Sequence, residues 1–151
     1  MSRYTAAAEA EMDGITFRAW QGSHYVTLAE VLVRLGSFGL GLTWRVEIDE
    51  MVDPRCVEIE RRSEGEGLDT LTLLSLTTPG YQLIDAEACG FADGELVVVL
   101  TEFDSSLWDV RSADETVLRE LARHYAVEPL ARTSGTTLFG DGPGDVPTAF
   151  G

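Results

Sequence analysis

The chain has 151 residues, with 26 acidic side chains against 11 basic ones, a net charge of −15 and a pI near 4.3. Every basic residue is arginine, since the sequence contains no lysine. Nucleic acids and anionic membrane surfaces are bound through clustered cationic side chains, so this balance argues against both kinds of partner. A hydrophobic fraction of 44% is typical of a globular chain and excludes an acidic disordered one.

The sequence predicts a cytoplasmic protein with reduced cysteines. Neither the N-terminal residues nor any later run supplies the apolar stretch of a secretory signal or of a membrane span. Cys56 and Cys89 have neither the C-x-x-C spacing nor a neighbouring histidine. We therefore expect two unpaired thiols rather than a redox pair or a zinc site.

The first predicted elements are a strand and a helix. Apolar and polar side chains alternate over residues 14–20 with the two-residue period of a strand, and residues 23–26 are expected to pair with it. A helix is predicted over residues 27–36, where leucine and valine recur at helical spacing. Thr27 and Glu30 have the spacing of a capping box at its beginning.

A meander of five strands is predicted after a glycine-rich turn at residues 37–41. The alternating pattern assigns the strands to residues 42–49, 55–62, 68–78, 81–88 and 95–102. Short turns separate these segments, which favours antiparallel pairing of neighbours. Residues 71–76 are apolar on both sides of the third strand, so the pattern does not decide which side is buried.

The chain is predicted to end in a second helix and a tail. The helix is expected over residues 113–126, with Ser112 and Glu115 as its capping box. Residues 131–151 are rich in glycine and proline and are predicted to be a flexible C-terminal tail. We predict a single α+β domain over residues 1–130: an antiparallel meander sheet of about five to six strands with two helices packed on one face.

Motifs for catalysis and metal binding are mostly missing from this sequence. Without lysine there is neither a phosphate-binding P-loop nor a Schiff base, and no G-x-S-x-G or H-E-x-x-H motif occurs. His124 is expected to pair with Glu120 one helical turn earlier. The sequence therefore leans towards a non-enzymatic protein, and we predict no catalytic residue, no metal site and no cofactor.

Acidic side chains are concentrated in residues 47–69. If residues 51–54 form a four-residue turn, Glu47 faces Glu58 across a hairpin, on the side away from the apolar residues. Like charges facing each other in a sheet are unfavourable, so this pair does not favour folding. The pair suggests a docking patch for a cationic partner, while a solvated face, a metal site and an acid–base pair are the alternatives. A genome-wide bias towards acidic residues and arginine would produce the same composition.

Two tryptophans are candidate anchors for a partner. Trp20 falls on the polar side of its strand, and Trp108 falls in a predicted turn before the second helix. Exposed tryptophans are favoured as interface anchors. Trp44 and Tyr125, in contrast, lie on apolar faces and are predicted to belong to the core.

The leading hypothesis is an acidic, non-enzymatic interaction protein that binds and restrains a basic protein partner such as a toxin. A small immunity or antitoxin protein would have this size and this charge. The predicted partner-binding residues are Glu47, Asp49, Glu58, Glu60, Trp20 and Trp108. Charge complementarity would raise the rate of encounter with such a partner.

Two further hypotheses belong to other classes. The first is a small-ligand-binding or enzymatic α+β domain with a pocket between sheet and helices, in which His24, Tyr81 and Asp85 would be the ligand-binding residues. The second is a homodimer, or a larger assembly, paired through an exposed edge strand or through the face that carries Leu74 and Leu76.

Overall fold

The computed structural model of the chain describes residues 11–50, 55–78 and 82–129. In these residues the backbone forms one seven-stranded antiparallel sheet, a separate two-stranded hairpin and five helices. The predicted fold class, α+β with an antiparallel sheet, is confirmed. The predicted tail over residues 131–151, the turn over residues 51–54 and Tyr81 lie outside the described residues.

The elements are numbered in chain order. The strands are β1 (Asp13–Arg18), β2 (Trp20–Gln21), β3 (His24–Tyr25), β4 (Thr43–Glu50), β5 (Leu68–Asp69), β6 (Ile84–Ala92), β7 (Glu95–Phe103), β8 (Leu107–Ser112) and β9 (Val127–Pro129). The helices are α1 (Leu28–Arg34), α2 (Ser37–Leu40), α3 (Arg55–Ser63), α4 (Thr70–Leu76) and α5 (Glu115–Ala122). The order in the large sheet is β5-β4-β6-β7-β8-β1-β9, and β2 pairs with β3.

Helices α1 and α5 lie close to their predicted positions, and their N-caps differ. The Thr27 hydroxyl accepts the amide of Glu30 at 3.1 Å, as the capping box predicts. At α5 the cap is Asp114, whose carboxylate accepts the amide of Thr116 at 2.9 Å. Ser112 is buried in β8 instead, and its hydroxyl donates to the carbonyl of Val97.

The predicted strand over residues 55–62 is wrong, because this segment forms helix α3. Cys56, Ile59 and Ser63 are buried at the i, i+3, i+7 spacing of a helix face. Val57, which the alternating pattern placed beside Ile59, is 51% exposed. The predicted hairpin between residues 42–49 and 55–62 therefore does not exist.

The predicted strand over residues 68–78 is also wrong after its first two residues. Strand β5 ends at Asp69, whose carboxylate then caps α4 by accepting the amide of Thr72 at 2.7 Å. The apolar residues on both sides of this segment follow from helical packing, in which Leu73 is buried and Leu71 is exposed. The predicted turn over residues 37–41 is largely the short helix α2.

Strands β8 and β9 extend the sheet beyond the predicted meander. Strand β8 pairs with both β7 and β1, so the N-terminal strand enters the sheet between β8 and β9. Trp108 therefore lies in a strand rather than in a turn. It is 1% exposed, and its indole donates to the carbonyl of Val26 at 2.8 Å. The prediction that Trp108 is exposed is wrong.

The core lies between the helices and one face of the sheet, called here the inner face. Trp44 is fully buried there and donates to the hydroxyl of Thr70 at 2.8 Å, and Tyr125 is buried beside Phe17. Both were predicted core residues, and both predictions are confirmed. Cys56 and Cys89 are buried and form no disulfide with each other, which is also as predicted.

Candidate interaction surface

Strand β4 pairs with β6 rather than with the segment that follows it in the sequence. The charged residues that face each other therefore differ from those in the predicted hairpin. Glu47 lies opposite Glu87 instead of Glu58, and Arg45 lies opposite Cys89. Glu87 in turn lies opposite Thr101 of β7, and Thr101 lies opposite Asp109 of β8. We call this line of Glu47, Glu87, Thr101 and Asp109 the acidic row.

The acidic row lies on the outer face of the sheet, opposite the helices. Strand residues alternate between faces, and the residues next to the row, such as Ile48, Ala88 and Val110, belong to the helix-side core. Asp49 is exposed on the same face of β4. Glu47 is half-buried and directly faces Glu87, where side chains on adjacent strands are about 4.5–5.5 Å apart at Cβ.

A second line of residues, next to the acidic row, carries cations at two positions. Arg45 and Arg111 flank Cys89 and Val99, both of which are buried. The guanidinium of Arg45 extends to the end of α3, where it donates to three consecutive carbonyls, those of residues 63–65, at 2.9–3.0 Å. This contact directs the Arg45 charge towards the end of that helix.

Glu58 and Glu60 lie on α3 and are not part of the acidic row. Glu58 forms ion pairs with Arg61 at 2.7 Å and Arg62 at 3.8 Å. Glu60 accepts the backbone amide of Ile48 at 2.6 Å. The four carboxylates predicted as one patch are therefore divided between two surfaces.

Glu60 has a structural role at the edge of β4. Beyond Trp44, β4 no longer pairs with the short strand β5. There the Ser63 hydroxyl accepts the amide of Val46 at 3.2 Å, and Glu60 accepts that of Ile48. Side chains of α3 thus satisfy amides that an edge strand would otherwise expose.

Two aromatic side chains are exposed at the end of the sheet where the turn of residues 104–106 joins β7 to β8. Trp20 is 41% exposed, as predicted, and its indole donates to the carbonyl of Ser105 at 3.0 Å. Its ring also contacts that of Tyr25, with centroids 5.3 Å apart. Phe103, the last residue of β7, is 46% exposed. We call Trp20, Tyr25 and Phe103 the aromatic end.

A buried carboxylate lies directly behind the aromatic end. Glu102 has no exposed surface, and its two oxygens accept the Tyr25 hydroxyl at 2.9 Å and the Asp85 amide at 3.1 Å. The amide of Ser105 donates to the same carboxylate. Burial raises the pKa of Glu102 above its usual range, while these three donors oppose that rise. Glu102, Tyr25, Asp85 and Ser105 are called here the Glu102 cluster.

The backbone is strained at two residues of the Glu102 cluster and at Asp104 next to it. Asp85, Asp104 and Ser105 have φ angles of 57°, 51° and 59°, in the left-handed region that most side chains avoid. They are three of the four non-glycine residues with positive φ in the described part of the chain. The Asp104 amide donates to the Asp85 carboxylate at 2.8 Å, which links two of them. Such strain tends to gather at functional sites.

The histidines lie elsewhere on the surface. His24 is exposed, with its Nε2 2.6 Å from a Glu30 oxygen, and Glu30 also accepts the hydroxyl of Tyr125. His124 pairs with Glu120 at 3.2 Å, which confirms the predicted pair. A groove of about 370 Å³ next to His124 is open to solvent and lies between the ends of α1 and α5.

The structure describes two of the three residues that were predicted to line a ligand pocket between sheet and helices, His24 and Asp85. A void lined by Leu28, Ile48, Ile59 and Leu83 measures about 10 Å³, which is room for one water molecule. His24 is exposed, and Asp85 belongs to the Glu102 cluster. Tyr81, as noted, is not among the described residues.

Glu87, Asp109, Phe103 and Glu102 were not among the predicted site residues. The alternation over residues 95–103 places Phe103 on the same side as Glu95 and Thr101, the side with the exposed ends of the strand, so the sequence did contain a sign of its exposure. No pattern in the sequence indicated Glu87 or Asp109, because only the pairing of β6 and β8 places them beside Glu47 and Thr101. The same alternation places Glu102 on the side of the buried Val98 and Leu100, but a buried carboxylate is unusual, so its residue type argued against that position.

Within residues 11–50, 55–78 and 82–129, no group of three or more His, Cys, Asp or Glu side chains is arranged to hold a metal ion. None of the helices in these ranges is long and apolar enough to cross a membrane. Comparison with models of protein families, with curated proteins and with solved structures gives no match to this chain.

Proposed function

We propose that this chain is a cytoplasmic, non-enzymatic interaction protein that binds and restrains a basic protein partner, as an immunity or antitoxin protein does with a toxin. The observation that carries the proposal is the acidic row, in which Glu47 faces Glu87 on adjacent strands of the outer face. Asp49 adds an exposed carboxylate beside it. The net charge of −15 gives the whole molecule the matching sign.

A cationic side chain of the partner would stabilise the two facing carboxylates electrostatically. Two like charges directly opposite each other in a sheet cost stability on the order of 0.2–1 kcal/mol. A lysine or arginine from a partner placed near Glu47 and Glu87 would attract both carboxylates. The acidic field of the molecule would also speed the encounter with such a partner.

The aromatic end supplies the apolar part of the proposed interface. Trp20 keeps the role suggested by the sequence, while Phe103 takes the place of the buried Trp108. Buried aromatic anchors surrounded by charged residues are the usual arrangement of strong contacts in protein interfaces. Glu58 and Glu60 have no part in this proposal, because their carboxylates are engaged on α3.

The test compares two double variants that change net charge equally. Glu47→Gln with Glu87→Gln alters the acidic row, whereas Glu66→Gln with Glu95→Gln removes two exposed carboxylates elsewhere. A partner is captured from native lysate at low salt, released at high salt, identified and purified. Its affinity for each variant is then measured by calorimetry at two salt concentrations.

We expect the acidic-row variant to bind about tenfold or more weakly and with a smaller dependence on salt, because close charge pairs dominate such interfaces. The control variant should stay within about twofold of the wild type. Equal losses in both variants would show that only the net charge matters. Unchanged affinity in the acidic-row variant would place the interface elsewhere.

A homodimer is the competing kind of assembly, and two observations weigh against pairing through the outer face and through the face that carries Leu74 and Leu76. Two copies meeting through their outer faces would bring like charges together. Leu74 and Leu76, on α4, are half-buried and pack against the core rather than forming a free face. Size-exclusion chromatography with mass measurement tests this, and a dimeric mass would favour assembly over the proposed heteromeric binding.

A further inference from the structure

Three segments that are distant in the sequence meet at the carboxylate of Glu102. The Tyr25 hydroxyl comes from β3, the Asp85 amide from the beginning of β6, and the Ser105 amide from the turn after β7. Each donates a hydrogen bond to a side chain that has no contact with solvent. A single buried group therefore connects the hairpin that carries Trp20 with the turn beside Phe103.

We propose that Glu102 is a positioning residue of the docking surface, which holds the indole of Trp20 in a fixed orientation before any partner binds. The proposal rests on the proposed function, because it takes Trp20 as an anchor for the partner. Trp20 is held at two points, the carbonyl of Ser105 and the ring of Tyr25. Both residues in turn donate hydrogen bonds to Glu102.

An ionised carboxylate suits this position because of its hydrogen-bonding capacity. It accepts several hydrogen bonds and donates none, whereas the amide of glutamine has one accepting oxygen and a donating nitrogen. In Glu102→Gln the amide nitrogen would replace one of the two oxygens that accept from Tyr25 and Asp85, so one of these two hydrogen bonds would be lost or reversed. The cluster also holds the left-handed backbone of Asp85 and Ser105, and losing a hydrogen bond would let that strain relax.

A fixed anchor favours binding for an entropic reason. A side chain that is already immobile in the free protein loses less conformational freedom when a partner covers it. Releasing Trp20 through Glu102→Gln is therefore expected to weaken partner binding by about threefold to tenfold, even though that variant changes no exposed residue. A loss of affinity in this variant would therefore reflect the orientation of Trp20 rather than the loss of a direct contact with the partner.

The test measures the mobility of the Trp20 indole directly. The order parameter of its N–H group is determined by ¹⁵N relaxation in the wild type, Glu102→Gln and Tyr25→Phe, with the signal assigned through Trp20→Phe. Ser112→Ala is the matched control, since it removes a hydrogen bond from another buried polar group, on β8. Partner affinity is measured for the same proteins.

We expect an order parameter of about 0.85 in the wild type and in the control, and below about 0.6 in Glu102→Gln and Tyr25→Phe. Affinity should fall with the order parameter. An indole that stays rigid in both cluster variants would overturn the inference, as would a mobile indole with undiminished affinity. Equal loss of order in the Ser112 control would also overturn it, because general loosening would then be the cause.

Different variants test the proposed function and the positioning role of Glu102. If Trp20→Ala leaves partner affinity unchanged, Trp20 is not an anchor and the docking role of Glu102 is wrong, while the acidic-row variant decides the proposed function separately. If Trp20→Ala abolishes binding while Glu102→Gln leaves both affinity and indole order intact, the docking surface stands and the positioning role is wrong.

Discussion

Glu102 is a buried carboxylate whose desolvation is unfavourable and whose hydrogen bonds hold neighbouring residues in place. Burial disfavours its ionised form, and three hydrogen-bond donors compensate for part of that penalty. A leucine of similar size would avoid the penalty but would leave the Tyr25 hydroxyl and the Asp85 amide without this acceptor. The arrangement fits a residue retained for the geometry it imposes on its neighbours rather than for stability alone.

The raised pKa of Glu102 predicts a specific pH dependence. The folded state binds the proton more tightly than the unfolded state, so between the ordinary glutamate pKa and the higher folded value the folded chain carries more protons. The stability contributed by this residue therefore decreases as pH rises through that window. The unfolding free energy of the wild type relative to Glu102→Gln should increase as pH is lowered from 7 towards 5.

Urea denaturation of both proteins at several pH values measures this difference. Tyr25 and Asp85 are the titratable groups that act on Glu102 within its cluster, and both are present in the two proteins. The prediction would be contradicted if the unfolding free energy of the wild type relative to Glu102→Gln did not depend on pH, or if it decreased as pH is lowered.

At the scale of elements, two segments that were predicted as strands form the helices α3 and α4. In α3 the order Val57, Glu58, Ile59, Glu60 alternates like a strand, yet Ile59 packs in the core and Val57 faces solvent. A short segment of four alternating residues is compatible with both periods, and tertiary contacts decide between them. Here the deciding contacts are those of Ser63 and Glu60 with the edge of β4.

Substitutions on α3 distinguish helix from strand. Val57→Ala should raise the unfolding free energy by a few tenths of a kcal/mol, because alanine is the better helix former at an exposed position and the poorer strand former. Ile59→Ala should lower it by about 2–5 kcal/mol through loss of core packing. Chemical denaturation measures both, and destabilisation by Val57→Ala would argue against the helix.

At the scale of the whole molecule, charge is distributed differently over the two layers. Several helix arginines are paired with glutamates of the same helix, as in Glu58–Arg61, Glu115–Arg119 and Glu120–Arg123. On the outer face, the acidic row places Glu47 opposite Glu87 instead. The helix layer thus carries ion pairs within single helices, whereas the acidic row brings two glutamates together across neighbouring strands.

This charge predicts that salt stabilises the fold. A net charge of −15 produces self-repulsion in the compact state, which is screened when the Debye length falls from about 30 Å at 0.01 M to about 3 Å at 1 M salt. The melting temperature should therefore rise with sodium chloride over this range. Calorimetry with Glu47→Gln/Glu87→Gln should show a smaller rise, and a melting temperature that falls with salt would contradict the expectation.

The sequence by itself determined the α+β class, the strands β1 and β7, the helices α1 and α5 and the absence of a disulfide between Cys56 and Cys89. These follow from periodicity, capping residues and cysteine spacing, which act within a few residues along the chain. Only the tertiary structure decided that Glu47 faces Glu87, that Trp108 is buried and that Glu102 connects three segments. The reason is that strand order and register depend on pairing between distant segments, and local periodicity does not specify which strands become neighbours.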